Sequence, residues 1–475
     1  MSSRVPAGVF AAFAAPLLAV LLGGCATPYA GEPSYRPAAL SGAGRTPEAA
    51  RVPPPGAAAP RPGEPPGPTV VLRLEDCIRI ALENYRKIRI ADRKLLITND
   101  QRHEAIASLL PKVTAEGRYQ ARNNDPGGQL GGNAFVTGER EAIQARLSVL
   151  VPIYDSTAWT AYDAAHLASE VAAVGSDKAR QDVVLAVSQA YFRVLEARQI
   201  RSVVEESIRV IDRQLEIARD FFAQGMVARS DVLTVEVQRA ERIQDLIRAE
   251  HNEKLAVATL NRQMGLEVTR PTAIADIREP APWRGSFETA LALAIERRPD
   301  LASLRLDIEI GRVQYRLTRG AGFTPRIYGF GEYNYTSDEF VLNKDWLVGG
   351  LFAELPIFEG GATYYQLDRR EQEIADLVDL HDERVDDVVL ELQKAYLDMR
   401  ESYERIGVAK KAIELAEENL RTVRDQYVNG LATSADVLLE EDRLSRARSN
   451  YYRSLYDQRE ASARLAHATG GTLPD

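Results

Sequence analysis

Apolar residues recur along this chain at two different periods. From Ile208 they step by 3, 4, 3 and 4 residues through Ile211, Leu215, Ala218 and Phe222, and the same register returns at Ile413, Ala416, Leu420, Val423 and Tyr427. That spacing is the seam of a coiled coil. Proline is absent from Ile153 to Arg270 and again from Ile357 to Leu473, so the stretches 156–222 and 361–427 are each expected as one uninterrupted helix. At 1.5 Å per residue each would reach roughly 100 Å.

Ahead of each long helix the period falls to two. Val113, Ala115, Gly117, Tyr119 and Ala121 alternate with Thr114, Glu116, Arg118 and Gln120, and Ile143, Ala145, Leu147 and Val149 alternate with Gln144, Arg146 and Ser148. A turn-rich connection containing Pro126, Gly127, Gly128 and Gly131 separates them, which predicts one β-hairpin. Arg326 to Tyr335 and Asp345 to Leu355 hold the equivalent places in the second half. The strands have one apolar face, with aromatics such as Tyr119, Tyr333, Tyr335 and Trp346. That pattern suits a membrane barrel, but on strand pattern alone a sheet packed on a soluble core is the better reading. Chain closure separates the two readings: four strands cannot close a barrel alone, and open edges are not viable in lipid, so a membrane sheet requires several chains to pool strands.

The two halves are copies. Phe222-Ala223-Gln224-Gly225 with Asp231-Val232-Leu233 recurs as Tyr427-Val428-Asn429-Gly430 with Asp436-Val437-Leu438, a shift of 205 positions. The shift holds from Ala190-Tyr191 and Ala395-Tyr396 to Met264-Gly265 and Thr469-Gly470. A period this long is a duplicated domain, not a solenoid. Gly225 and Gly430 stand where each helix must end and the chain reverse. Asp231 and Asp436 fall in the first turn of the returning helices, where a carboxylate interacts favourably with the helix dipole. A capping box with Thr433 is open to Asp436 but not to Asp231, whose counterpart of Thr433 is Ala228.

The N-terminus adds an address. Arg4, an apolar run from Val9 to Leu22 and then Leu22-Gly23-Gly24-Cys25 form a secretory signal too short for a membrane span. The tetrapeptide resembles the bacterial lipobox, which makes Cys25 the acylated first residue of the mature chain, with Ala26 favouring the outer membrane. The expected organisation is signal peptide 1–24, a Pro/Ala-rich tether 25–69, repeat one 70–280 and repeat two 285–470. Cys77 is the only other cysteine and is expected as a small packed residue.

A net charge of -9 without a basic cluster argues against nucleic acid. His103, His166, His251, His381 and His467 are isolated from one another, and no metal, nucleotide or catalytic motif emerges. Neither an enzyme nor a cofactor is expected.

The doubled arrangement of helix, β-hairpin, long helix and G-x5-D-V-L tip behind a lipobox resembles the outer membrane factor (TolC-like) family over about residues 70 to 470. The resemblance implies a mainly α chain with membrane β: a homotrimer whose twelve-stranded barrel in the outer membrane of a Gram-negative bacterium continues into a periplasmic α-helical barrel. Such a channel is a passive exit duct. Its partners are a periplasmic adaptor (membrane fusion protein) and an inner-membrane transporter of RND, ABC or MFS type, docked through the Gly225 and Gly430 tips. Leu147, Val149, Tyr333 and Leu351 would face outer-membrane lipid. Asp436 would project into the closed entrance, and Ser230-Asp231 would lie on the neighbouring tip. Ala432 and Leu439 replace an arginine and a second ring carboxylate of the family's best-studied gate; Arg229, Glu440 and Glu441 are close enough to substitute. The alternative is a lipid-anchored coiled-coil scaffold or adaptor without a pore. The cargo is not legible.

Overall fold

The computed structural model describes residues 71–124, 126–131, 133–277 and 285–471. Cys25, the signal peptide and the tether lie outside the described residues. Each half runs through a short helix, a second helix, a β-hairpin and a long helical hairpin. In the first half these are α1 (Leu74–Asn84), α2 (Arg86–Ala107), β1 (Lys112–Ala121), β4 (Glu141–Tyr154), α3 (Ser156–Ala223) and α4 (Arg229–Gln263). The second half answers with α5 (Phe287–Arg297), α6 (Pro299–Phe323), β5 (Arg326–Thr336), β6 (Asp345–Glu354), α7 (Ala362–Val428) and α8 (Ser434–Ala468).

Helices α3 and α7 contain 68 and 67 residues, about 100 Å each, as the proline-free stretches predict. Asp155 starts α3 by accepting from the backbone of Thr157 and Ala158. At the far end Gly225 and Gly430 adopt φ of 72° and 74°. The amide of each returns to the carbonyl three residues back (Phe222, Tyr427), and the next amide to the carbonyl five back (Phe221, Gln426). This is the left-handed helix end that glycine accommodates without a Cβ clash. Helices α4 and α8 each hold 35 residues, and both begin and end 205 positions apart.

The duplication extends into the core. Cys77, Ala81, Val183, Val187, Ala190, Val194 and Leu260 form one buried cluster. In the second half Ala290, Ala294, Val388, Leu392, Ala395, Met399 and Leu465 occupy the corresponding places in another. Cys77 thus stands where the second copy has Ala290, a small residue packed beneath a helix, and burial pushes its thiol up to about 12.

Two details of the helical seam and the strand loop differ from expectation. Phe222 is 46% exposed; Phe221 takes its place in the seam, its ring 5.6 Å from that of Tyr427. The connection between β1 and β4 is itself a small hairpin of β2 (Gly127–Leu130) and β3 (Asn133–Val136). Gly127 is required there, since a Cβ would fall 2.0 Å from the Phe135 carbonyl oxygen.

Candidate functional site: the strand sheet and the hairpin tips

The strands of both halves join in one antiparallel sheet of order β1-β4-β5-β6. Directly paired residues share a face, so the register sorts every side chain. Val113 pairs with Val149, Ala115 with Leu147 and Tyr119 with Ile143. Leu147 continues to Tyr333 and Val149 to Gly331, and Tyr333 to Leu347 and Gly329 to Leu351. Leu147, Val149, Tyr333 and Leu351 therefore lie on one face, which is apolar across all four strands, and Leu351 is 75% exposed. The opposite face carries rows such as Glu116, Arg146 and Asn334, with Arg146 donating to Asn334 at 3.2 Å. Asn334 and Thr336 on that face are buried while Tyr333 and Tyr335 beside them are exposed.

Trp346 corrects the sequence reading: it pairs with Asn334 and so sits on the polar face, not with the apolar aromatics. The alternation in β6 is ambiguous because Val348 and Phe352 share that polar face with Trp346, leaving both sides of this strand apolar. Strand β4 runs to Tyr154, beyond the alternating segment, by a register shift between Pro152 and Tyr154, where a bulge accommodates the missing proline N–H. Among the described residues β1 and β6 are each paired along one side only.

At the tips, Thr433 and Asp436 form a full capping box. The Thr433 amide donates to Asp436 Oδ2 at 2.8 Å, its hydroxyl donates to the same oxygen at 2.7 Å, and the Asp436 amide donates back to Thr433 Oγ1 at 3.3 Å. These bonds hold the Asp436 carboxyl below its usual range, so an exposed charge is fixed in one orientation. Ala228 caps α4 without a side-chain bond, and the Asp231 amide returns to its carbonyl at 3.0 Å. Asp231 is half-buried, while Ser230 and Arg229 are exposed.

Glu440 behaves otherwise than expected of a gate carboxylate. It is 6% exposed, accepts from Asn419 at 2.5 Å and is paired with Arg443 at 2.6 Å. A side chain so enclosed does not supply the free charge missing at Leu439, which is itself exposed. Glu441 is buried as well, and its Oε2 has no hydrogen-bond partner among the described residues. Loss of solvent raises its carboxyl to about 7, against the pull of Ser207, Arg424, Arg448 and Arg242.

Two groups named from the sequence have surroundings that residue spacing does not show. Tyr427 is 3% exposed, with its hydroxyl unpartnered among the described residues; burial and then the Asp231 charge push that hydroxyl up. The charge of one hairpin tip is thus felt by a buried phenol on the other. Glu441 was legible in principle, because it stands between Val437 and Leu444 at 4 and 3 residue steps, a seam position given to a carboxyl group.

Among the described residues no helix is long and apolar enough to cross a membrane, and no group of three or more His, Cys, Asp or Glu is placed to hold a metal ion.

Residues 77–266 and 290–471 match the family model described as outer membrane efflux protein. The chain is 24% identical over 406 residues to outer membrane protein TolC of Vibrio cholerae serotype O1, covering 82% of this chain and 90% of that one. It is 24% identical over 373 residues to TolC of Escherichia coli K12, covering 74% and 73%. Among solved structures, VceC from Vibrio cholerae superposes with a TM-score of 0.71 at 18% identity, over 84% of this chain and 96% of that one. The CmeC outer membrane channel of Campylobacter jejuni gives 0.73 at 16% identity, over 84% and 85%.

Proposed function

We propose that this chain, which belongs to the outer membrane efflux protein family, is a trimeric duct gated at its hairpin tips and filled by a periplasmic adaptor and an inner-membrane transporter. Family membership places it in the outer membrane with a large periplasmic portion, among passive channels rather than enzymes. The observation that supports the finer reading is the sheet: one face predominantly apolar across all four strands, an opposite face carrying the row of Glu116, Arg146 and Asn334, and two edges unpaired among the described residues. Edge groups in hydrocarbon cost several kcal/mol each if unsatisfied, roughly. Pairing β6 of one copy with β1 of the next removes them, and three copies give twelve strands, within the even-numbered range of such barrels.

In this assembly Asp436, held rigid by Thr433, lies at the periplasmic entrance and repeats around the axis. A carboxylate ring favours cations and narrows entry for anions. Gly225 and Gly430 shape the turns that meet the adaptor, with Ser230, Asp231 and Arg229 at the contact between neighbouring tips. Acylated Cys25 anchors each copy to the membrane by its lipid.

Planar-bilayer conductance of the purified lipidated protein, with its oligomeric mass measured in parallel, tests the reading. A trimer with small, cation-favouring currents that lose their preference in Asp436→Asn supports it. A monomer or dimer that never conducts overturns it in favour of a periplasmic scaffold.

A further inference from the structure

Along α8 the exposed positions are Ala435 in the first turn and then a single stripe: Asp436, Leu439, Arg443, Arg446, Asn450, Arg453 and Asp457. From Asp436 they step by 3, 4, 3, 4, 3 and 4 residues, so they stack on one side of a helix that supercoils with its neighbours. Val437, Leu438, Glu440, Glu441, Leu444 and Ser445 between them are buried. The stripe that begins with the exposed acid therefore continues through three arginines before it reaches a second acid, Asp457, which is ion-paired with Arg405 at 3.1 Å.

These arginines are oriented alike. Arg443 and Arg446 keep 58% and 76% of their side chains exposed, while their partners Glu440 and Asp442 keep 8% and 17%. Arg453 is 58% exposed, and Glu196, its nearest carboxylate, lies 4.0 Å away and is 27% exposed. In each case the carboxylate sits inward between helices and the guanidinium outward. The compensating acid is enclosed in each case, so between Asp436 and Asp457 the stripe presents a row of forked donors.

We propose that the stretch of tunnel just inside the Asp436 entrance is an anion-binding track, formed by Arg443, Arg446 and Arg453 of each copy, that takes cargo bearing carboxylate, sulfonate or phosphate groups. This inference rests on the pore-facing reading of Asp436 given above, because the arginines share its stripe. Leu439 separates the acidic ring from the first guanidinium, and the sign of the wall changes from negative to positive within roughly 10 Å of helix. A molecule with a cationic and an anionic end meets complementary charge at both.

The test uses purified full-length protein in planar bilayers with inorganic tripolyphosphate added on the tip side. Wild-type current is expected to be blocked in a concentration-dependent way, and Arg453→Gln, which gives up little ion pairing, is expected to raise the half-blocking concentration by about fivefold or more. Arg443→Lys keeps the charge and retains block. Arg248→Gln, on α4 and off the stripe, leaves block unchanged. Channels that conduct yet ignore tripolyphosphate, or an Arg453→Gln channel blocked like wild type, overturn the anion track and leave the duct standing. Folded protein that never conducts overturns the duct, and the track with it.

Discussion

The hydroxyl of Tyr328 donates a 2.7 Å hydrogen bond to Oδ2 of Asp155. Tyr328 belongs to β5 in the second half and Asp155 caps α3 in the first, so one buried carboxylate serves the sheet and the long helix together. Its other oxygen accepts from the Thr157 amide, the Thr157 hydroxyl and the Ala158 amide. Tyr328→Phe removes one bond to a charged group, a loss of about 1.5–3 kcal/mol. Asp155→Ala also removes a helix cap, about 1 kcal/mol more. Thermal unfolding followed by helical circular dichroism should rank wild type, Tyr328→Phe and Asp155→Ala in that order; equal midpoints would show the junction to be idle.

The four glycines that end the hairpin helices are not equivalent. Gly225 and Gly430 at the tips have open space where a Cβ would sit, whereas a Cβ on Gly265 would lie 2.8 Å from the Asn84 carbonyl oxygen and one on Gly470 2.8 Å from Arg297 Cβ. All four have positive φ, so alanine costs each roughly 1–2 kcal/mol of backbone strain. At Gly265 and Gly470 a backbone clash is added. Their alanine variants should melt lower than Gly225→Ala and Gly430→Ala, and the reverse order would count against the packing described at the hairpin bases.

Glu441 gives the assembly a pH dependence of definite sign. Its carboxyl is raised from 4.5 to about 7, so the folded chain prefers the protonated form. Below about pH 4.5 folded and unfolded states are both protonated and nothing is lost; between there and pH 7 ionisation of the unfolded state draws stability away. Glu441→Gln should be more stable than wild type at pH 8, by up to about 3 kcal/mol, with the gap closing towards pH 4. Urea midpoints at the two pH values decide it. A gap of the same size at both would mean that the substitution acts through packing.

The sheet faces can be separated with one residue type. Arginine at Leu351, on the apolar face, should cost about 2–4 kcal/mol if it meets the centre of the bilayer and should lower the membrane-inserted fraction. Arginine at Val348, on the polar face of the same strand by pairing with Glu332, should insert normally. Equal insertion of both variants would remove the case for a lipid-facing side.

Much of this fold was legible because its elements are long and duplicated. The run of proline-free residues fixed α3 and α7 to within a residue or two, and the offset of 205 located both turns. What escaped notice depends on contacts between elements. Trp346 was grouped with the apolar aromatics because β6 alternates one apolar residue with another, and only its pairing with Asn334 assigns a face. Phe222 obeys the heptad spacing, yet the last turn of α3 presents Phe221 to Tyr427 instead. Glu440 is an acid near a gate in sequence, but Asn419 and Arg443, one from α7 and one a turn along α8, enclose it. Side-chain pairing of this kind leaves no periodic trace.

The matched lengths of α3 and α7 also bear on how such a chain can change over time. With 68 and 67 residues, the two long helices match in span, and each is followed by a returning helix of 35 residues. Inserting seven residues into one long helix alone would keep its seam but carry its tip about 10 Å past the other. Length is therefore inherited in pairs: an insertion survives only when a compensating one appears in the return helix and again 205 positions away, so drift in sequence is permitted and drift in span is not.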